Sequence, residues 1–420
     1  VLGTTALAGC WLIFVVADAG FDRYHLPKEL ALSLGALVAL LLFSRTGASL
    51  HGDRIDQLAL ASLLLACLSG LLATSPALAL RACSLELAIT VLFLTARTSR
   101  ARGRSMLLAS VVLAALGVAL AALAEAYGQL PGLSRVGRAP GSTLGQRNMV
   151  AHLLALAVPS AWWLAATARR AALRSLGALS SACLPAALLL TRSRAGWLGA
   201  GAALLAFLTL WCWQTRAAPL RERVAVCMPL ACSVCAVLAV LLAPSRLVWH
   251  SPTPYADTLA RLVESETGSG AGRLAQYRAS LELVALHPAL GAGPGNWMVE
   301  YPRVAPAHEL AQRGHGFLHT GRLPNSDWIA LLTERGVIAT LCALALGLAV
   351  CFAARAQPWF ALVGATASAL LVVGALDAVL QLPAPACLLA LLFACGAPRK
   401  RGSRANATVT RLLCTGLCLS

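Results

Sequence analysis

Apolar runs of about 20 residues, the length a helix needs to cross a bilayer, recur from end to end of this 420-residue chain. At membrane depth every backbone polar group must be satisfied inside the protein, so such a chain forms helices or a closed barrel. The strand alternation of an outer-membrane barrel is absent. Hydrophobic residues make up 59% of the chain and charged residues 12%, with a mean hydropathy of +0.74. A soluble protein carries about twice that charge. The expected fold is therefore all-α: a single polytopic membrane domain over 1–420, with about 12 transmembrane helices and one large extracytoplasmic loop. The predicted spans are 1–19, 29–43, 57–74, 79–96, 105–125, 149–167, 175–191, 195–213, 224–243, 327–353, 359–380 and 384–397.

Short connections carry the arginines that set orientation. Arg97, Arg100, Arg102 and Arg104 crowd one of them, Arg169, Arg170 and Arg174 a second, and Arg216, Arg221 and Arg223 a third. Arg399, Lys400, Arg401 and Arg404 follow the last span. With twelve alternating spans all four groups share one side, which the positive-inside rule makes cytoplasmic, together with both termini. The formal charge of +17 is scattered over these loops with no basic-aromatic groove, which argues against a nucleic-acid partner. The bilayer is the partner this composition demands. Most of the 14 cysteines sit in apolar segments, where they read as small packing residues, the Cys232/Cys235 pair included. Leu7-Ala8-Gly9-Cys10 is similar to a lipoprotein cleavage box. No basic segment precedes it and the apolar run continues, so the expectation is a first span.

One long polar interval, 245–327, interrupts the pattern on the outer side. It contains seven arginines and five of the eight histidines (His250, His287, His308, His315, His319). Its first part holds Gly268-Ser269-Gly270 and reads as flexible. From about Arg273 to His287, Leu274, Tyr277, Leu281 and Val284 are spaced for an amphipathic helix lying on the membrane surface. Pro288 stops that helix, and Gly291-Ala292-Gly293-Pro294-Gly295-Asn296 makes a turn.

Three groups of residues could carry chemistry. Arg192 and Arg194 sit at the outer junction of two spans, Arg147 closes the 126–148 loop, and Arg273 and Arg278 lie five residues apart on the predicted surface helix. Charges at such places line a wet cavity, meet an anion or snorkel to the interface. A planar guanidinium pairs bidentately with phosphate oxygens, so converging arginines suit a pyrophosphate-linked lipid. Next, Asn325, Ser326 and Asp327 are placed to cap the following helix, and Glu334 and Arg335 further along it favour a polar cavity over lipid. Last, His315 and His319 are four residues apart, but Gly314 and Gly316 argue against a helical metal pair, so no metal is expected. A histidine here can act as general base toward a hydroxyl.

Taken in order, these pieces resemble the O-antigen ligase and O-antigen polymerase superfamily. Gly145-Gln146-Arg147-Asn148 with Ala151 resembles its "GNxNxxA" feature, and Ser193-Arg194-Ala195-Gly196-Trp197 its "SRGxW" turn. Arg273 through Tyr301 is similar to its arginine- and glycine-bearing loop stretch. Asn325-Ser326-Asp327-Trp328-Ile329 with Glu334-Arg335-Gly336-Val337 resembles its "HNxxL…ExGxxG", and Asp22 to Leu30 a motif before the second span. The strongest likeness covers 178–345.

The resemblance implies a metal-independent glycosyltransferase, without cofactor, at the outer face of the bacterial inner membrane. Its donor is a glycan on undecaprenyl pyrophosphate, and its acceptor a hydroxyl of lipid A–core or another glycan. Arg194 and Arg273 match arginines that hold the pyrophosphate, and Asn148 matches the polar residue of the preceding outer loop. Arg147, Arg192 and Arg278 are further candidates for substrate binding. Where most members have a histidine this chain has Asn325, which cannot serve as a base; His319 or Asp327 is the candidate substitute.

Ligation, polymerisation and transfer to protein differ only in acceptor, and ligation is the preferred expectation. A transporter or flippase is the rival. It lacks repeated halves and matched broken helices, and Asp377, expected inside the eleventh span, is the one residue favouring it. An inactive scaffold is the reading that Asn325 favours.

Overall fold

A computed structural model describes residues 24–45, 52–130, 133, 139–249, 251–260, 269–305 and 323–399. Among these residues the chain is helical throughout, with no strand. The long helices are α1 (Leu26–Ser44), α2 (Arg54–Leu71), α3 (Pro76–Arg97), α4 (Ala101–Ala126), α5 (Arg147–Thr167), α6 (Ala171–Thr191), α7 (Arg194–Thr215) and α8 (Leu220–Leu242). The polar interval then holds α9 (Pro254–Ala260), α10 (Ser269–Leu286) and the single turn α11 (Trp297–Glu300). It is followed by α12 (Asp327–Ala354), α13 (Phe360–Leu376) and α14 (Pro383–Gly396).

Nine helices among the described residues, α1 to α8 and α12, are long and apolar enough to cross a membrane; α13 and α14 are shorter. Each of these eleven falls on one of the predicted spans, and the first predicted span, 1–19, lies outside the described residues. The chain is a multi-pass membrane protein. Helix α5 is its axis: every residue from Val150 to Ala165 is buried, against α4, α6, α7, α13 and α14. Outer helices keep leucines such as Leu205, Leu242 and Leu341 exposed. In water that pattern would promote association, whereas in a bilayer these side chains are solvated by lipid tails.

One end of the bundle is closed by buried charge. Arg97, 1% exposed, ends α3 and donates to both oxygens of Asp53 (3.0 and 2.7 Å), to Asp56 and to the Ala397 carbonyl (2.8 Å). Arg399 adds a second contact to Asp56 at 3.4 Å, and Arg104 donates to the Cys395 carbonyl over the Trp359 ring. Asp53 is also the N-cap of α2, accepting from the Ile55 and Asp56 amides. Every oxygen of Asp53 therefore has a use. These partners join α2, α3, α4 and the chain beyond α14.

The predicted surface helix exists as α10, but the face it buries is Gln276, Ala279, Ser280 and Leu283, while Leu274 and Leu281 are exposed. Small and polar side chains let α10 pack closely on α12, and the leucines of the expected apolar stripe point away from the protein. After α10, Ala279, Leu283, Trp297, Tyr301 and Ala305 form a small core of their own, with the Trp297 and Tyr301 rings stacked.

Helix α12 is interrupted. Gly336 has φ 73° and ψ 179° within it, and a Cβ there would stand 2.3 Å from the Ala289 carbonyl oxygen. The turn predicted at 291–296 plugs this break. Ala292 donates to the Thr333 carbonyl (2.8 Å), Gly293 to the Glu334 carbonyl (2.9 Å), and Val337 to the Pro288 carbonyl (2.9 Å). Ser69 of α2 donates to the same Glu334 carbonyl. Irregular backbone inside a membrane protein persists only where protein groups satisfy it, and here the loop supplies them.

Candidate functional site

The other end of the bundle gathers five helix termini: the starts of α5, α7 and α12, and the ends of α6 and α13. Arg192 is the C-cap of α6 in the left-handed region (φ 53°), and Ser193 caps α7 through its hydroxyl, which accepts from the Gly196 amide. The stretch that resembles the "SRGxW" turn is thus a tight helix-to-helix corner. Arg192 donates to the Thr258 hydroxyl on α9 at 3.0 Å and lies over the Trp249 ring at 4.6 Å. Arg147, at the first turn of α5, faces the same ring at 5.7 Å. Two arginines from separate loops therefore converge on one aromatic face, as cation–π attraction favours. Arg194 lies two residues further, half-buried at the start of α7.

The second gathering surrounds Asp377. The expected eleventh span runs past this residue, yet α13 stops at Leu376 and Asp377 is its C-cap, with extended backbone (φ −161°, ψ 170°). Asp377 is a helix-end residue and not a mid-span one, which removes the observation that favoured a carrier. Its Oδ2 lies 3.6 Å from Nε2 of His152, one turn after Asn148 on α5. His152 is 1% exposed, and neither ring nitrogen makes a hydrogen bond; the Asp377 side chain is 21% exposed. Arg273 of α10 lies within electrostatic reach of His152.

Tyr277, one turn beyond Arg273, shares its one hydroxyl hydrogen between the carbonyls of Asn325 (2.5 Å) and Ala375 (2.8 Å), clamping α10 to the start of α12 and the end of α13. Burial pushes the Tyr277 hydroxyl above the usual tyrosine range, Arg273 opposes this, and Asp377 adds to it. The phenol is therefore a neutral donor.

The expected triple cap resolves into three different roles. Ser326 alone caps α12, accepting from the Ile329 amide. Asn325 contributes backbone: its amide donates to the Gln276 side chain (2.9 Å), and its carbonyl accepts from Tyr277. Asp327 is buried and accepts from the Val379 and Leu380 amides at 2.9 to 3.0 Å. Its oxygens organise the turn after α13, an anchoring role that competes with service as a base. Glu334, expected in a polar cavity, is instead packed against protein, accepting from the Trp297 amide and from Gln381. Arg335 pairs with Glu86 of α3 at 2.6 Å.

Arg278 is exposed on α10. His315 and His319 lie outside the described residues, so the His319 reading finds no placement here. Among the described residues no three His, Cys, Asp or Glu side chains group as metal ligands. Missed in the sequence were His152, the one ionisable residue in the apolar run 149–167, and the contact that brings it to Asp377, 225 positions later.

Residues 178–344 match the family model described as O-antigen ligase, a family of membrane glycosyltransferase-like enzymes. No curated protein matches the chain. The matched stretch holds Arg192, Arg194, Arg273, Asn325 and Asp327, whereas Arg147, His152 and Asp377 flank it. Over residues 178–344 the chain is therefore similar to the O-antigen ligase family.

Proposed function

We propose that this protein is a glycosyltransferase of the outer face of the bacterial inner membrane. It moves a glycan from undecaprenyl pyrophosphate to an acceptor hydroxyl, with lipid A–core the preferred acceptor. The observation that carries this reading is that Arg147 and Arg192 meet on the Trp249 ring at the bundle end where Arg194 begins α7 and Arg273 comes within electrostatic reach of His152. The arginine-rich short connections lie at the opposite end, and by the positive-inside rule the convergent end then faces outward. The large loop, 245–327, contributes α9 and α10 to that outer face.

The chemistry follows from the leaving group. As the anomeric C–O bond of the donor breaks, negative charge grows on the pyrophosphate, and fixed guanidinium groups stabilise it without reorganisation. Arg194 and Arg273 are assigned to that task; Arg147, Arg192, Arg278 and Asn148 are assigned to holding the donor. Gene deletion in the native host, with gel analysis of surface polysaccharide, tests this. Carrier-linked polymer left unattached marks a ligase, and single repeats on lipid A mark a polymerase. An unchanged glycan profile in a strain lacking paralogues defeats the reading.

A further inference from the structure

We propose that Asp377 and His152 form the proton-accepting pair of this transferase, in place of the histidine that Asn325 displaces. The inference rests on the glycosyltransferase reading and names a residue pair outside the matched family region. Three observations support it. The first is position: Asp377 ends α13, and both it and Arg273, the proposed pyrophosphate-binding cation, lie within electrostatic reach of Tyr277 and His152. The second is the buried imidazole itself. A fully buried histidine with both nitrogens unbonded is costly unless it has a task, and the Asp377 carboxylate lies 3.6 Å from its Nε2. That gap is longer than a hydrogen bond and closes with a small shift; catalytic hydrogen bonds are often long before substrate is bound. The third is graded access: Asp377 is partly exposed while His152 sits behind it.

The step balances within these groups. The acceptor hydroxyl gives its proton to the Asp377 carboxylate, and its oxygen lone pair forms the new bond to the anomeric carbon. The old anomeric C–O bond breaks with its electron pair leaving on the pyrophosphate, beside Arg273. His152 donates Nε2–H to Asp377 and fixes its rotamer, which makes His152 a positioning residue. The charged or titratable groups facing Asp377 are His152 from α5, Arg273 and Tyr277 from α10, and Asp327 from α12. Asp327 is saturated by the Val379 and Leu380 amides, which leaves Asp377 the freer carboxylate.

The test uses the full chain in proteoliposomes, with undecaprenyl-pyrophosphate-linked glycan from the native host as donor and lipid A–core from the deletion strain as acceptor. Asp377→Asn is expected to lower kcat about 10²–10⁴-fold with donor KM little changed. It should also remove the acidic limb of the pH–rate profile. Asp377→Glu should restore part of the rate, and His152→Gln should lower kcat and displace that limb. Near wild-type kcat in Asp377→Asn overturns the pair while leaving the transferase standing. Absence of transfer by the wild-type protein overturns both. Should Asp377→Asn fail to accumulate, Asp377→Glu and His152→Gln decide, and wild-type pH profiles in both overturn the proposal.

Discussion

At the scale of single residues, the arginines separate by what they touch. Arg192 and Arg147 are held by Trp249, whereas Arg273 stands among groups that face Asp377. Removing a charge that stabilises a leaving group costs about 10²–10³-fold in rate. Arg273→Ala is therefore expected to abolish complementation of the deletion strain while protein level stays normal on an immunoblot; Arg194→Ala should do the same. Tyr277→Phe tests a different role. It strips the hydroxyl that bridges the Asn325 and Ala375 carbonyls, at about 1–3 kcal/mol for buried acceptors left unpaired. A lowered Tm in detergent with retained donor binding is the expected result. The arginines were legible in the sequence because a guanidinium beside an apolar run demands a reason wherever it occurs. His152 was not, since one imidazole in a 19-residue apolar stretch shows nothing of its neighbours. Its partner lies in another helix, and only the packing of α5 against α13 brings the two together.

At the scale of elements, hydropathy located the spanning helices well, because lipid exposure makes length and apolarity direct requirements. It misplaced the end of α13 by a few residues: Ala378, Val379 and Leu380 are apolar, yet they form a turn held by Asp327. It also passed over the break in α12, where the apolar count on both sides of Gly336 runs on without a mark. Gly336 alone tolerates its positive φ, and the neighbouring carbonyl leaves no room for a methyl group. Gly336→Ala should destabilise the protein by about 1–3 kcal/mol from backbone strain alone. A thermal-shift measurement on the purified protein checks this, and an unchanged Tm would contradict the interlock of turn and helix. The surface helix was predicted from leucines at helical spacing, but α10 buries Gln276 and Ser280 instead. A period identifies a helix; which face meets protein and which meets lipid depends on what lies beside it.

At the scale of the whole molecule, the two ends of the bundle are built from opposite uses of arginine. Arg97 is locked between Asp53 and Asp56, with no capacity left for a ligand. Arg97→Ala leaves Asp53 without its cation and Asp56 with the longer Arg399 contact, and should cost about 3–5 kcal/mol, read as lost accumulation or a lowered Tm. Donor binding in whatever protein remains folded should be unchanged, because the proposed site lies at the other end. The interlock at Gly336 has a separate consequence for motion. The turn at 288–296 cannot leave α12 without exposing the Thr333, Glu334 and Pro288 carbonyls at once. The polar interval is thus riveted to a transmembrane span near its midpoint, and any movement of α10 must pivot about that point. In hydrogen–deuterium exchange the Ala292 and Gly293 amides should be as slow as those within α12, islands of protection in a stretch whose composition suggests none.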